Sequence, residues 1–311
     1  MNNERFDVVV VGNVGIDTNV YVQGEEINFA LESNFTENID YVGQAGGYTS
    51  RGFAQLRKRA AFIGYVGADN GGRLIREEFA QDGIDTTAMF VDPLGTSRSV
   101  NFIYPDGRRR NFYDGKGHMQ LQPDIGICRD ILSSTKLVHF HIPNWARPLL
   151  PIAKELNLTI ACDIQDVVAG IDEYRKDFVD FADILFLSAT NQADPKALME
   201  GLLRAHPRQI VITGMGEKGC ALGTSRGGIR FFPPPDMEKS VIDTTGAGDG
   251  LTVGFLSSFV LDNYSVGDAV ERGQLVARHA CTLKATSSNL ITPEELEFYF
   301  GGRSGKGFRV E

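Results

Sequence analysis

Short apolar runs recur along the chain and alternate with stretches whose apolar residues fall at helical spacing. Residues 6–11 form a β-branched run ending at Gly12, the pattern of a strand buried on both faces. A helix is expected over 49–58, a strand over 60–66 ending in Gly67-Ala-Asp69, and a helix over 72–81 with Arg76, Glu77 and Glu78 on its wet side. The rhythm returns downstream, with strands at 137–142, 159–163, 184–187 and 209–213 and helices at 148–156, 195–205 and 247–261. Strands alternating with helices predict an α/β fold, a three-layer α/β/α core around a mostly parallel sheet.

Two segments break this rhythm. Residues 19–42 and 97–113 alternate polar and apolar positions, with a turn at Pro105-Asp-Gly107, and predict antiparallel strands of a smaller sheet. They flank the first βα units, so they are expected to project together as a lid over about 18–44 and 97–115 of a single domain spanning 1–311. The Gly-rich, basic segment near the C-terminus predicts a flexible tail over 302–311.

No apolar stretch approaches the ~18 residues that cross a bilayer, and the N-terminus lacks the charged and apolar regions of a signal peptide. The expectation is a soluble cytoplasmic protein without membrane association. A net charge of −9 gives no basic sheath for a polyanion, which argues against nucleic acid as a partner. That charge is silent on a mononucleotide, whose phosphates are held by local N–H groups. Cys128, Cys162, Cys220 and Cys281 are widely spaced and read as reduced, buried thiols.

Gly214-Met-Gly216-Glu-Lys-Gly219 fits a dinucleotide fingerprint, but the residues after it read as strand, turn, strand. The fingerprint must open a helix so that pyrophosphate sits on its N-terminus, so a Rossmann site is not expected. No P-loop is present. The run Asp243-Thr-Thr-Gly-Ala-Gly-Asp249 does lead into an apolar helix. Gly246, Ala247 and Gly248 can turn their N–H groups toward one point there, an anion hole for a transferring phosphoryl group. Asp249 sits beside it, placed to accept a hydroxyl proton. Helix capping explains one such acidic or hydroxyl residue, but not two aspartates around three small residues.

These residues resemble the C-terminal signature of the ribokinase-like (PfkB) carbohydrate kinases. The stretch from Val9 through Gly12 to Asp17 is similar to the family's opening strand. Gly43-Gln-Ala-Gly46-Gly47 and Phe62 to Gly71 resemble its N-terminal signature, and Val211 to Gly219 its nucleotide-binding strand and turn. The resemblance implies a sheet of about nine strands with a β lid, and ATP with Mg2+ as cofactors. It makes Asp249 the base and Gly246, Ala247 and Gly248 the anion hole. It implies acceptor binding by Asn13, Asp17, Gly46, Gly47 and Arg51. Thr213, Gly214, Gly216, Glu217 and Gly219, with Ser188 and Asn191, would serve ATP. Asp243 and Thr245 match part of a monovalent cation (K+) site.

Two departures bear on the acceptor and the metal. Arg51 stands where the family often has an asparagine, and either meets an anionic acceptor or points to solvent. Ser188-Ala-Thr-Asn191 replaces the usual Asn-x-x-Glu element, leaving a metal contact open. Arg108-Arg-Arg110 reads as a solvated turn or a contact to an anionic acceptor. Asp163 and Asp166 could face phosphates or cap a helix. The expected activity is transfer of the γ-phosphate of ATP to a hydroxymethyl group of a sugar. The alternatives are a nucleoside kinase, stacking a base on Trp145 and aromatics such as Phe35, and a catalytically weak binding regulator. Unpaired lid edges also suggest a homodimer.

Overall fold

The structure, a computed structural model, describes residues 5–168 and 170–304. In chain order its strands are β1 (Val8–Val11), β2 (Gly15–Val22), β3 (Thr36–Gly43), β4 (Ala60–Gly67), β5 (Asp85–Asp92), β6 (Arg98–Ile103), β7 (Arg109–Asp114), β8 (Leu137–Phe140), β9 (Thr159–Asp166), β10 (Ile184–Ser188), β11 (Ile210–Gly214), β12 (Cys220–Thr224) and β13 (Gly228–Phe232). Its helices are α1 (Gln44–Gln55), α2 (Asn70–Gln81), α3 (Ile125–Leu132), α4 (Leu149–Glu155), α5 (Glu173–Phe181), α6 (Pro195–Ala205), α7 (Ala247–Leu256), α8 (Val266–Ala280) and α9 (Pro293–Ser304).

Nine strands form one sheet in the order β13-β12-β11-β10-β9-β8-β1-β4-β5, and only the β11–β12 and β12–β13 pairings are antiparallel. Strand β1 shows why the sheet is covered on both faces. Val8 and Val10 enter the core shared with α1, α2, α7 and α8, while Val9 and Val11 enter the core shared with α3 to α6. The two-residue side-chain period of a strand makes that division. No helix among the described residues is long and apolar enough to cross a membrane.

The second sheet has the order β3-β2-β6-β7. The β2–β3 and β6–β7 pairs are antiparallel as expected, but β2 and β6 run parallel. Between those two strands the chain passes through β3, α1, β4, α2 and β5, a crossover long enough to bring it back in the same direction. Apolar residues such as Phe102 and Phe112, whose rings meet edge to face at 5.7 Å, lie on one side of this sheet.

Helix α1 begins at Gln44, five residues before the expected start at 49. Gly46 and Gly47 weaken the local helical signal. A tertiary contact overrides it, because the Gly46 N–H donates to the Asn13 carbonyl at 2.8 Å. A Cβ on Gly46 would stand 2.6 Å from that oxygen, so the close approach needs glycine. Helices α3, α5, α8 and α9 and strand β5 have no counterpart in the pattern reading. Helix α9 runs through 302–304, and the rest of the expected tail, 305–311, lies outside the described residues.

Candidate active site

The site forms where α7 starts. Gly246 caps this helix at φ +80°, and a Cβ there would stand 2.5 Å from Cε1 of Tyr48. Backbone and packing therefore both demand glycine. The Ala247 N–H turns back to the Thr244 carbonyl at 3.3 Å, and the Gly250 N–H bonds the Gly246 carbonyl at 2.8 Å. The N–H groups of Gly246 and Gly248 have no partner among the described residues, and a Cβ on Gly248 would meet nothing within 4 Å. Two of the three expected anion-hole donors are thus open, while that of Ala247 is drawn into the turn that builds the cap.

Asp249 lies in the first turn of α7 with part of its side chain exposed. Desolvation and the nearby Asp163 and Asp17 carboxylates hold its carboxyl well above the ordinary range, opposed by the Arg109 guanidinium. His141, Asp163 and Asp249 each place one ligand-type atom within 4.8 Å of the others. The His141 Nε2 lies 3.1 Å from Thr49 Oγ1, and burial keeps this imidazole neutral. Burial also raises Asp163 to about 6, although its carboxylate accepts the Gln165 N–H at 2.8 Å. Asp163 thus faces Asp249 rather than capping a helix.

Asp17, Asn19 and Tyr21 follow one another at two-residue spacing on β2, so they share a face of the lid. Asp17 is buried and accepts the Gln44 N–H at 3.0 Å, yet its Oδ1 has no partner among the described residues. Burial pushes its carboxyl up to about 6. A buried oxygen left this way suits an acceptor hydroxyl. Asn13 donates to the Tyr113 hydroxyl at 2.6 Å, and Asn111 donates to Asn101, which donates in turn to Asn19. Gly47 lies against Val14 and packs α1 under the lid.

Arg51 does not meet an acceptor. Its guanidinium is buried and pairs with Glu78 and with Asp82 at 2.6 Å, both at the end of α2, and it donates to Ser287 at 3.0 Å. The charge is matched inside the chain, which is why α1 can bury it. Trp145 is 2% exposed and packs edge to face on Tyr65 at 5.1 Å, so its ring belongs to the core. Arg109, expected in a solvated turn or in contact with an anionic acceptor, lies at the start of β7 and donates to Thr245 Oγ1 at 3.1 Å, one residue before the cap Gly246. The signal available was alternation: residues 109, 111 and 113 share one face of β7.

The residues expected to serve ATP gather at the C-terminal ends of β10 and β11. Ser188 pairs with Gly214 and with Asp166, and Gly216 and Glu217 lie on the exposed turn that leads through Gly219 to β12. Strands follow that turn, as the argument against a dinucleotide site requires. Thr213 Oγ1 is fully buried without a partner among the described residues. Asn191 donates to Asp166 Oδ2 at 2.7 Å and leaves Asp166 Oδ1 buried and unpartnered, a hard oxygen donor suited to Mg2+. A monovalent cation fits less well at Asp243. Its Oδ2 accepts from Asn19 and Tyr21, each at 2.7 Å, and its Oδ1 accepts the Thr245 N–H at 2.9 Å. That donor set occupies most of the carboxylate's lone pairs and leaves a cation about one of them at Asp243.

Comparison with known proteins agrees with this geometry. The family model described as pfkB family carbohydrate kinase matches residues 5–293. The acarbose 7(IV)-phosphotransferase of an Actinoplanes species is 28% identical over 296 residues, spanning 93% of this chain and 96% of its own. A probable fructokinase-4 of Arabidopsis thaliana is 26% identical over 331 residues, 94% of each chain. Among solved structures, a microbiome-derived acarbose kinase superposes with a TM-score of 0.87 at 28% identity, covering 95% of this chain and 99% of that one. Arabidopsis thaliana ribokinase, complexed with ribose and ATP, superposes with a TM-score of 0.79 at 20% identity, covering 95% of this chain and 98% of that one. The chain belongs to the pfkB family of carbohydrate kinases, ATP-using phosphotransferases with an alcohol group as acceptor.

Proposed function

We propose that this chain phosphorylates a hydroxymethyl group of a neutral sugar or pseudo-oligosaccharide of the acarbose type, with Asp249 as the base. The observation that carries this reading is the meeting of Asp249, the open N–H groups of Gly246 and Gly248 and the free Asp17 Oδ1 at one end of α7. Asp17 holds and orients an acceptor hydroxyl, and Asp249 takes the proton of the hydroxyl that attacks. The Gly246 and Gly248 N–H groups face the charge that develops on the phosphoryl oxygens. Mg2+ bound through Asp166 would offset phosphate charge when the nucleotide is in place. Asp163 stands beside the base, and with burial its carboxylate holds the Asp249 carboxyl above the ordinary range, which suits it to take up a proton.

A neutral acceptor is favoured because Arg51 is neutralised by Glu78 and Asp82. The lid's inner face adds uncharged donors and acceptors, Asn101, Asn111 and Tyr113, as a polyol requires. An acarbose-type acceptor is supported by the likeness to two proteins named for that activity, each 28% identical over nearly the whole chain. The edge strands β3 and β7 also suit pairing of two lids in a homodimer.

The test is an ADP-release assay with product detection over acarbose, fructose, ribose and adenosine. Phosphorylated acarbose or fructose is expected and phosphorylated adenosine is not. Turnover confined to adenosine would overturn the acceptor class.

A further inference from the structure

Strand β7 sends one charged side chain across the site. On the face shared by residues 109, 111 and 113, Tyr113 and Asn111 join the lid's polar network, while Arg109 reaches out of the lid. Its Nη1 donates to Thr245 Oγ1 at 3.1 Å, one residue before the cap Gly246. The neighbouring Arg108 is satisfied by Glu26 at 2.6 Å and Asp106 at 2.5 Å. Arg109 forms no ion pair among the described residues, and its other N–H donors have no protein acceptor there. Its charge acts on the carboxyls of both Asp17 and Asp249 and favours their ionised forms.

An uncommitted guanidinium at that point has one chemical use that the surroundings favour. The planar fork matches the oxygens of a phosphoryl group, and its positive charge offsets the negative charge that develops on them. We propose that Arg109 is the lid's contribution to phosphoryl transfer, its guanidinium neutralising the transferring group beside Gly246 and Gly248. This rests on the reading of Asp249 and the anion hole given above. In the step, the acceptor oxygen bonds the γ-phosphorus as the bond to the bridging oxygen of ADP breaks. The hydroxyl proton passes to Asp249 and the bonding pair leaves with ADP, while Arg109 exchanges no atoms. The Thr245 contact makes catalysis depend on the lid being down, since the charge arrives with β7.

The experiment compares wild type, Arg109→Ala and Arg109→Lys with ATP and whichever of acarbose, fructose or ribose the wild type phosphorylates. Arg109→Ala is expected to lower kcat by roughly 10²- to 10³-fold while KM for ATP moves less than about fivefold. Arg109→Lys should recover a tenth of the rate or less, because a point charge lacks the fork. Calorimetry with ADP, and with ADP plus aluminium fluoride and the acceptor, supplies a readout that a structural strut does not move. The substitution should weaken the fluoride complex by about the factor lost in kcat and leave ADP alone unchanged. A kcat within about threefold of wild type, or an equal loss for both calorimetric ligands, overturns the proposal. A wild type that phosphorylates no acceptor would instead sink the kinase reading and, with it, this proposal.

Discussion

The Asn19 amide donates to Asp243 Oδ2 at 2.7 Å and ties an interior strand of the lid to the loop before the anion hole. Tyr21 donates to the same oxygen, and Lys284 Nζ sits 4.5 Å over the Tyr21 ring. Protein donors thus stand around the carboxylate. Turnover is expected to agree within about twofold in potassium, sodium and choline chloride at equal ionic strength. Asn19→Ala with Tyr21→Phe empties Oδ2, so potassium should raise the melting temperature of that double variant. A wild-type rate that climbs about tenfold with potassium would contradict this account of Asp243.

Gly246 is the most constrained position in the anion-hole loop. Gly246→Ala must hold a positive φ and displace Tyr48, a backbone cost of about 1–3 kcal/mol before any repacking. Tyr48 donates to Tyr41 at 3.0 Å, so moving it disturbs the lid as well. The expected result is a modest fall in melting temperature with a loss of kcat of about 10²-fold, because the N–H donors lose their aim. Steady-state kinetics beside thermal unfolding will separate the two effects.

Much of this site was legible in the sequence because it is built from consecutive residues. The run 243–249 carries its own geometry: glycine where φ is positive, small residues where a phosphate approaches, an aspartate one turn inside a helix. The alternation of β1 and the strand–helix rhythm likewise announce a two-sided sheet. What escaped depends on distant pairings. Arg51 looked like a ligand until α2 brought Glu78 and Asp82 to it, and Asp163 and His141 meet Asp249 only through the order of β8, β9 and α7. Arg109 stands in a basic run whose spacing alone does not announce its contact with Thr245, 136 residues further along the chain.

Asp163 is expected to cost stability in exchange for its effect on the base. Its folded-state carboxyl titrates at about 6 against an ordinary 3.8, so folding favours its protonated form. The associated stability is complete below pH ~4 and is lost as pH rises through about 6, a difference of about 3 kcal/mol. Asp163→Asn keeps an oxygen for the Gln165 N–H and removes the charge. It should unfold roughly 2–6 °C higher than wild type at pH 8, with little difference at pH 4. It should also shift the acid limb of kcat to lower pH, since one carboxylate no longer repels another. Thermal melts at the two pH values and a pH–rate profile check both.

The base itself is tested by Asp249→Asn, which keeps the shape of the first turn of α7 and removes the proton acceptor. The measurement is single-turnover phosphorylation of the wild type's acceptor beside ATP affinity by calorimetry. The rate should fall by at least about 10²-fold while the ATP dissociation constant stays within about threefold. A variant that transfers phosphate at nearly the wild-type rate would contradict the assignment of Asp249.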